Sequence, residues 1–217
     1  MPSTNSDTCL LYADVAFKSL IGEPHPFGSK SGPNHGFSDG NQGVQWNIDI
    51  DKESCEAKLG VNLEGLKYSH WPIAVFIESE LKNHNLIKTS RQIDHSSKIF
   101  VSLFRDAWQA ASRPPIKEKL IGEARLDRLT KSRWDDMLQE AYQCLDCDRG
   151  YRGRATQLVN LIKSGKRLKE VSPHLHIHTE LWGQIPLSEQ EAEELLKSAV
   201  EVLSPIHNFV KNSISSD

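Results

Sequence analysis

The sequence lacks long apolar segments. Its longest apolar run, Pro72–Ile77, is far too short to cross a membrane. It also lacks a basic leader, and the apolar stretch near its N-terminus contains an acidic residue, Asp14, so a signal peptide is not expected. Cysteines are few in the 217 residues, which argues against a disulfide scaffold and predicts a protein of the reducing cytoplasm. The four cysteines are Cys9, Cys55, Cys144 and Cys147.

Common catalytic signatures are also missing. The chain has no Walker phosphate loop, no dinucleotide fingerprint, no G-x-S-x-G elbow and no HExxH motif. Its content of 38% hydrophobic and 25% charged residues is ordinary for a protein that is not embedded in a membrane. The length and composition together predict one domain over residues 1–217 with a real hydrophobic core.

Local patterns predict an α/β or α+β fold, in which helices flank a central mixed sheet. Helical spacing of apolar residues, Leu11 and Leu20 among them, predicts a helix over 8–20. Proline at the first helical position predicts another helix over 72–83. The apolar run at 98–104 predicts a strand, and the charged stretch from 115 to 129 favours a helix.

The C-terminal part is predicted to be a long amphipathic helix. A capping box, Ser188-x-x-Glu191, precedes a regular apolar stripe. Pro205 is expected to end or kink this helix, and residues 212–217 are expected to form a disordered tail.

Residues 22–43 are predicted to form a long irregular loop. The segment holds six of the thirteen glycines and three prolines, and loops of this length are either functional or disordered. It also contains two aromatic residues, Phe27 and Phe37, for which a pure linker has no need.

The most informative segment is 44–65, where strict alternation predicts a hairpin of two strands. On the first strand, Asp49 and Asp51 share one side and the apolar residues share the other. A two-residue turn at Glu53-Ser54 would place Asp51 opposite Glu56 and Asp49 opposite Lys58. This acidic face would hold a divalent cation or would be a solvated surface.

The spacing of these residues resembles the PD-(D/E)xK nuclease family, which has the restriction-endonuclease-like fold. Asp49 or Asp51 matches the first acid, and Glu56-Ala57-Lys58 matches the E-x-K. The resemblance implies Mg²⁺-dependent endonuclease activity on DNA, with Asp51 and Glu56 as metal ligands and Asp49 as a second acid. It also implies that Lys58 positions the attacking water, and that the protein acts as a homodimer.

A basic segment points independently to a phosphate-bearing partner. Between residues 149 and 169 there are seven basic side chains and no acidic one. Arginine matches phosphate bidentately, and tyrosine can stack on a base. The alternative is a solvated loop and strand edge. The predicted nucleic-acid-binding residues are Arg149, Tyr151, Arg152, Arg154, Lys163, Lys166 and Arg167.

A third candidate site is the segment PHLHIHT at 173–179. On a strand, His174, His176 and His178 project to one side and could coordinate Zn²⁺. The commoner interpretation is the polar outer face of a sheet. Cys144-x-x-Cys147 also has zinc-ligand spacing, but incidental cysteines are the default interpretation.

These patterns leave three hypotheses. The first is a nucleic-acid-binding protein that acts as a Mg²⁺-dependent endonuclease through the hairpin. The second is a non-catalytic binding or accessory module that uses its basic segment. The third is a metal-dependent enzyme built on the histidine strand.

Overall fold

The computed structural model describes residues 5–28, 34–41, 43–64, 72–94, 96–104, 120–144, 157–160, 168–171 and 173–215. The helices in these ranges are α1 Asn5–Leu20, α2 Pro72–Asn83, α3 Asn85–Ser90, α4 Lys131–Cys144 and α5 Glu189–Ile214. The strands are β1 His25–Gly28, β2 Asn34–Ser38, β3 Val44–Asp51, β4 Glu56–Glu64, β5 Ile99–Phe104, β6 Leu120–Arg125, β7 Gln157–Asn160, β8 Leu168–Val171 and β9 His174–Trp182.

Seven of the strands form one sheet in the order β1-β2-β3-β4-β9-β5-β6, and β7 pairs with β8 in a separate ribbon. The pairs β1–β2, β2–β3, β5–β6 and β7–β8 are all antiparallel. This architecture confirms the predicted α/β class with a central sheet and accompanying helices. None of the helices in the described ranges is long and apolar enough to span a membrane.

The chain divides into two compact units. The first comprises Met1–Asn62 and Ile177–Asn208, and the second comprises Leu63–His176 and Phe209–Asp217. The division passes through β4, β9 and α5, so each of these elements contributes residues to both units.

Helix α1 confirms the predicted N-terminal helix, but its buried face differs from the expected one. The buried stripe is formed by Cys9, Ala13, Ala16 and Phe17, at the spacing that one helix face requires. Leu11, in contrast, is 54% exposed. The buried stripe lies toward β2, because its largest member contacts the ring of an aromatic residue on that strand, with the ring centroids 6.5 Å apart.

The prediction of an irregular loop over 22–43 is wrong, since β1 and β2 both lie in it. The glycines and prolines are compatible with strands here because β1 is the edge strand of the sheet and tolerates Pro26. Gly36 on β2 is required by close packing: a Cβ at this position would collide with the Ile48 carbonyl oxygen and with the ring of Phe27.

The predicted hairpin is confirmed as β3 and β4, which are neighbours in the sheet. Its turn differs from the two-residue prediction, because the turn occupies four residues between Asp51 and Glu56. The longer turn ends at Cys55, whose φ of 59° lies in the left-handed region. Within the first unit, α5 contacts this hairpin through His207, whose ring stacks on Trp46 with centroids 4.7 Å apart.

In the second unit, α4 packs against α2 and against the β5–β6 pair. A fully buried carboxylate, Glu80, joins these helices. It accepts hydrogen bonds from the indole of Trp134 at 3.0 Å and from the backbone amides of Asn85 and Leu86 at 3.1 and 3.0 Å. Burial raises the pKa of Glu80, while these three donors oppose the rise.

Four further expectations need correction or confirmation. Helix α2 has the predicted bounds, whereas the stretch expected to be helical up to residue 129 contains the edge strand β6. Ala124 of β6 pairs with Val101 of β5, so long-range pairing determines the conformation of β6. Helix α5 continues through Pro205 to Ile214, so proline does not end it and residues 212–214 are helical.

We expect Glu80→Ala to lower the free energy of unfolding by about 3 kcal/mol, because it leaves three buried donors without an acceptor. Urea unfolding at pH 7 measures this change. The matched control is Glu78→Ala on the same helix, where the carboxylate is partly exposed and the expected change is within about 0.5 kcal/mol. Equal effects of the two substitutions would contradict the role given to Glu80.

Candidate active site

The candidate active site lies on the polar face of the β3–β4 hairpin. Asp49 on β3 is partly exposed, and Lys58 on β4 is exposed. Burial raises the pKa of the Asp49 carboxyl to about 6, and the charge of Lys58 opposes this rise. The charge of Lys58 therefore acts on Asp49, as expected of residues opposite each other on the hairpin, and burial is what raises the pKa of this carboxyl.

Two neighbouring strands extend this face beyond the hairpin. Across β2 and β3, Gly36 pairs with Asp49, and across β1 and β2, Phe27 pairs with Gly36. Paired residues of antiparallel strands share one face of the sheet. Phe27, Gly36 and Asp49 therefore form a row across three strands, which we call the Phe27–Asp49 row. The ring of Phe27 lies against the bare backbone of Gly36 and remains 37% exposed.

Asp51 has a different environment from Asp49. Its Oδ1 atom accepts hydrogen bonds from the backbone amides of Glu53 at 2.8 Å and Ser54 at 3.3 Å. This is the pattern by which aspartate stabilises a turn through its own local backbone. One of its carboxylate oxygens therefore supports the turn, whereas Glu56, at the start of β4, is exposed.

The opposite face of the same strands is apolar. Phe37 pairs with Ile48 across β2 and β3, and His35 pairs with Ile50. These four side chains are buried, so the sheet separates an apolar side from the polar side that carries Asp49.

The predicted nucleic-acid-binding residues lie outside the described residues. Arg149, Tyr151, Arg152 and Arg154 precede β7, and Lys163, Lys166 and Arg167 lie between β7 and β8. Their contact with nucleic acid stays a prediction.

The histidine strand is β9, an interior strand of the sheet rather than a polar surface. His176 and His178 are 7% and 5% exposed. His174 stacks on Phe104 with ring centroids 4.9 Å apart. Burial, assisted by the charge of His176, lowers the pKa of His174 to about 3, so this imidazole is neutral at physiological pH. The expectation of a solvated outer face is wrong for His176 and His178, because both side chains are buried.

Within the ranges that the structure describes, no three His, Cys, Asp or Glu side chains are grouped so that they could hold a metal ion. Mg²⁺ at the hairpin and Zn²⁺ at the histidine strand therefore stay predictions. Cys147 lies outside the described residues, as does the side chain of Cys144.

A surface cavity of about 510 Å³ lies elsewhere in the first unit. It is lined by the end of β9, the following segment and the start of α5, including Trp182, Leu187 and Glu191. None of the predicted hairpin residues lines this cavity, so its volume gives no support to the hairpin site.

Sequence patterns missed Phe27 and Gly36 as members of the hairpin face. The available signal was the presence of an aromatic residue in a segment rich in glycine, since an exposed linker gains nothing from a phenyl ring. The pairing of this segment with β3 is long-range and is not contained in the local pattern.

Comparison with models of protein families, with curated proteins and with solved structures finds no match to this chain. The resemblance to the PD-(D/E)xK family therefore stays a prediction that rests on the hairpin residues alone.

We expect Asp49→Asn to stabilise the protein at pH 7. A carboxyl whose pKa rises from 3.8 to about 6 on folding makes the native state lose stability as pH increases through that window. The asparagine variant does not lose stability in this way, because its side chain does not ionise. The gain at pH 7 should be about 1 kcal/mol, because partial exposure and the lost attraction to Lys58 reduce the full effect.

Urea unfolding at pH 4, 5, 6 and 7 measures this difference, which should disappear toward the acid end of the series. Glu53→Gln, in the exposed turn of the same hairpin, serves as the control and should leave the pH profile unchanged. An Asp49→Asn variant that is less stable than the parent at pH 7 would contradict a raised pKa.

Proposed function

We propose that this protein binds nucleic acid and hydrolyses DNA phosphodiesters with Mg²⁺ at the polar face of the β3–β4 hairpin. The observation that carries the proposal is the Phe27–Asp49 row together with Lys58. It combines an exposed aromatic ring, a carboxylate with a raised pKa and an exposed ammonium group on one face. Perturbed carboxylates beside a specific charge partner are concentrated at functional sites.

The carboxylates suit a hard cation. Asp49 and Glu56 offer oxygen ligands, and a cation near Asp49 would offset the burial that disfavours its ionised form. Asp51 has only one oxygen outside its bonds to the turn, so we assign it a lesser part. Bound Mg²⁺ would neutralise charge on the phosphate and lower the pKa of a coordinated water.

The remaining roles belong to side chains of the chain itself. Lys58 is exposed and interacts with Asp49, so its ammonium group can approach a phosphate oxygen and stabilise negative charge that develops there. Phe27 offers a flat apolar surface on which a base can stack, and stacking tolerates any sequence. The basic segment 149–169 supplies positive charge for the DNA backbone, which favours salt-dependent binding.

The cellular setting belongs to the same proposal. The small number of cysteines favours the cytoplasm. The family resemblance favours a homodimer on duplex DNA, with no membrane partner.

A second candidate is a non-catalytic binding module. The observation in its favour is the position of Asp51, whose carboxylate stabilises the turn as it would in any surface hairpin. In this alternative, the hairpin is part of the surface, the basic segment 149–169 contacts the partner and no bond is cut.

Cleavage of plasmid, linear and single-stranded DNA with Mg²⁺ or Mn²⁺ distinguishes these two functions. We expect metal-dependent cutting that falls by about 100-fold or more in Glu56→Ala and in Lys58→Ala, since each substitution removes a charge from the reacting site. Glu53→Ala in the turn and Lys197→Ala on α5 are the matched exposed controls and should cut like the parent.

The results of this cleavage assay distinguish the nuclease from the binding module. If the parent cuts and the Glu56 and Lys58 variants cut equally well, the hairpin is not the active site. If the parent binds DNA without cutting it, the binding module is the correct function.

Binding is tested through Phe27. We expect Phe27→Leu to weaken binding of a fluorescent single-stranded oligonucleotide about 5-fold or more, because leucine keeps the apolar contact but lacks a face for stacking. Leu187→Ala, an apolar residue that is 89% exposed in the same unit, is the control. Unchanged affinity in Phe27→Leu would remove this residue from the interface.

A further inference from the structure

Two cysteines that the proposed function does not use lie together in the first unit. Cys9 is on the buried face of α1, and Cys55 is the last residue of the β3–β4 turn. Both are free thiols, with exposures of 0% and 7%. They are 46 positions apart in the sequence, so only the fold brings them together.

The thiol of Cys9 contacts the backbone of Cys55. The Sγ atom of Cys9 lies 3.9 Å from the carbonyl oxygen of Cys55 and donates to it. The thiol of Cys55 donates to the carbonyl oxygen of Lys52 at 3.7 Å, within the turn. Burial raises the pKa of Cys9 to about 12, and the neighbouring thiol of Cys55 adds to the rise. The two sulfur atoms are therefore electrostatic neighbours.

The backbone at Cys55 adds an independent observation. Its φ of 59° is a conformation that residues with a Cβ adopt reluctantly, and glycine or asparagine would be usual there. Strained backbone positions that hold a reactive residue type are candidates for function. Here the left-handed conformation ends the turn at a buried cysteine whose carbonyl oxygen accepts a hydrogen bond from the Cys9 thiol.

The turn also provides a route for a small oxidant. Glu53, Ser54 and Glu56 around Cys55 are exposed, so the cysteine lies just beneath the surface. Cys9 is 0% exposed and Cys55 is 7% exposed, so Cys55 is the thiol that meets an oxidant first.

We propose that Cys9 and Cys55 form an oxidative modification site, in which a peroxide converts the two thiols into a reversible intramolecular disulfide. This inference does not depend on the proposed nuclease function. It assigns a role to two buried cysteines in a chain with too few cysteines for a disulfide scaffold.

The chemistry balances in two steps. The sulfur of Cys55 attacks one oxygen of hydrogen peroxide, the O–O bond breaks, and the products are Cys55 sulfenic acid and one water. The thiol of Cys9 then attacks the sulfenic sulfur, the S–O bond breaks, and a second water leaves as the S–S bond forms. Two thiols are oxidised and one peroxide is reduced. A dithiol such as dithiothreitol reverses the process by thiol–disulfide exchange.

The bond would tie α1 to the turn that Asp51 stabilises. It would close a long loop that contains β1, β2 and β3, and cross-linking a long loop restricts the unfolded chain. We therefore expect oxidation to raise the Tm by roughly 5 °C or more, and reduction to reverse the change.

The test uses the full chain carrying Cys144→Ser and Cys147→Ser, so that Cys9 and Cys55 are its only thiols. The protein is treated with hydrogen peroxide, digested without reductant and analysed by mass spectrometry, and its thermal unfolding is followed with and without dithiothreitol. We expect a peptide pair joined through Cys9 and Cys55, lighter by two hydrogen atoms, and a reversible rise in Tm.

The matched controls are Cys9→Ser and Cys55→Ser in the same background. Both should lack the cross-link and the reversible rise in Tm. Peroxide at a dose that oxidises free glutathione but gives no cross-linked peptide would overturn the proposal, and so would a cross-link found only between two chains. The mapped cross-link in the background protein decides the question even if a serine variant fails to fold.

Discussion

The register of β2 against β3 determines the properties of both faces of the first unit. Phe37 opposite Ile48 and His35 opposite Ile50 give one buried apolar side, and Gly36 opposite Asp49 gives the polar side. A slip by one residue would move the Asp49 carboxylate to the apolar side and expose the isoleucines. Burial of an unpaired carboxylate is far more costly than a lost strand contact, so this register is strongly specified. The position of Phe27 beside Asp49 is a consequence of the same register.

Two carboxylates with raised pKa values illustrate how surroundings assign roles. The pKa of each is raised by burial, but different groups oppose the rise. Glu80 is fixed by an indole and two backbone amides, which leaves it a structural part of the second unit. Asp49 interacts with the charge of Lys58, an exposed lysine, on the face that also carries the exposed ring of Phe27. A carboxylate held by an indole and two backbone amides supports the fold, whereas a charge partner at the surface is accessible to a ligand.

Local signals predicted the elements whose causes are local. Alternation along β3 and β4 and proline at the start of α2 gave elements that the structure confirms. The failures have long-range causes. Strands β1, β2 and β6 have weak intrinsic propensity and exist because neighbouring strands pair with them. The stripe of α1 was assigned to the wrong face, because apolar residues such as Leu11 occur on both sides of this helix and only its contact with Phe37 distinguishes them.

The same distinction between local and long-range causes applies to the residues of the candidate site. Period-two alternation along β3 and β4 was enough to predict that Asp49 lies opposite Lys58. The same alternation predicted Asp51 as a site residue with the same weight as Asp49. An aspartate often accepts a hydrogen bond from the backbone amide two residues later, so its presence before exposed residues indicates a turn. In this structure the Asp51 carboxylate accepts such bonds from the amides of Glu53 and Ser54. Asp51 therefore has a defined role in the turn. Asp49 shares its face of the sheet with Phe27, and Phe27 comes from a strand that only the folded sheet reveals.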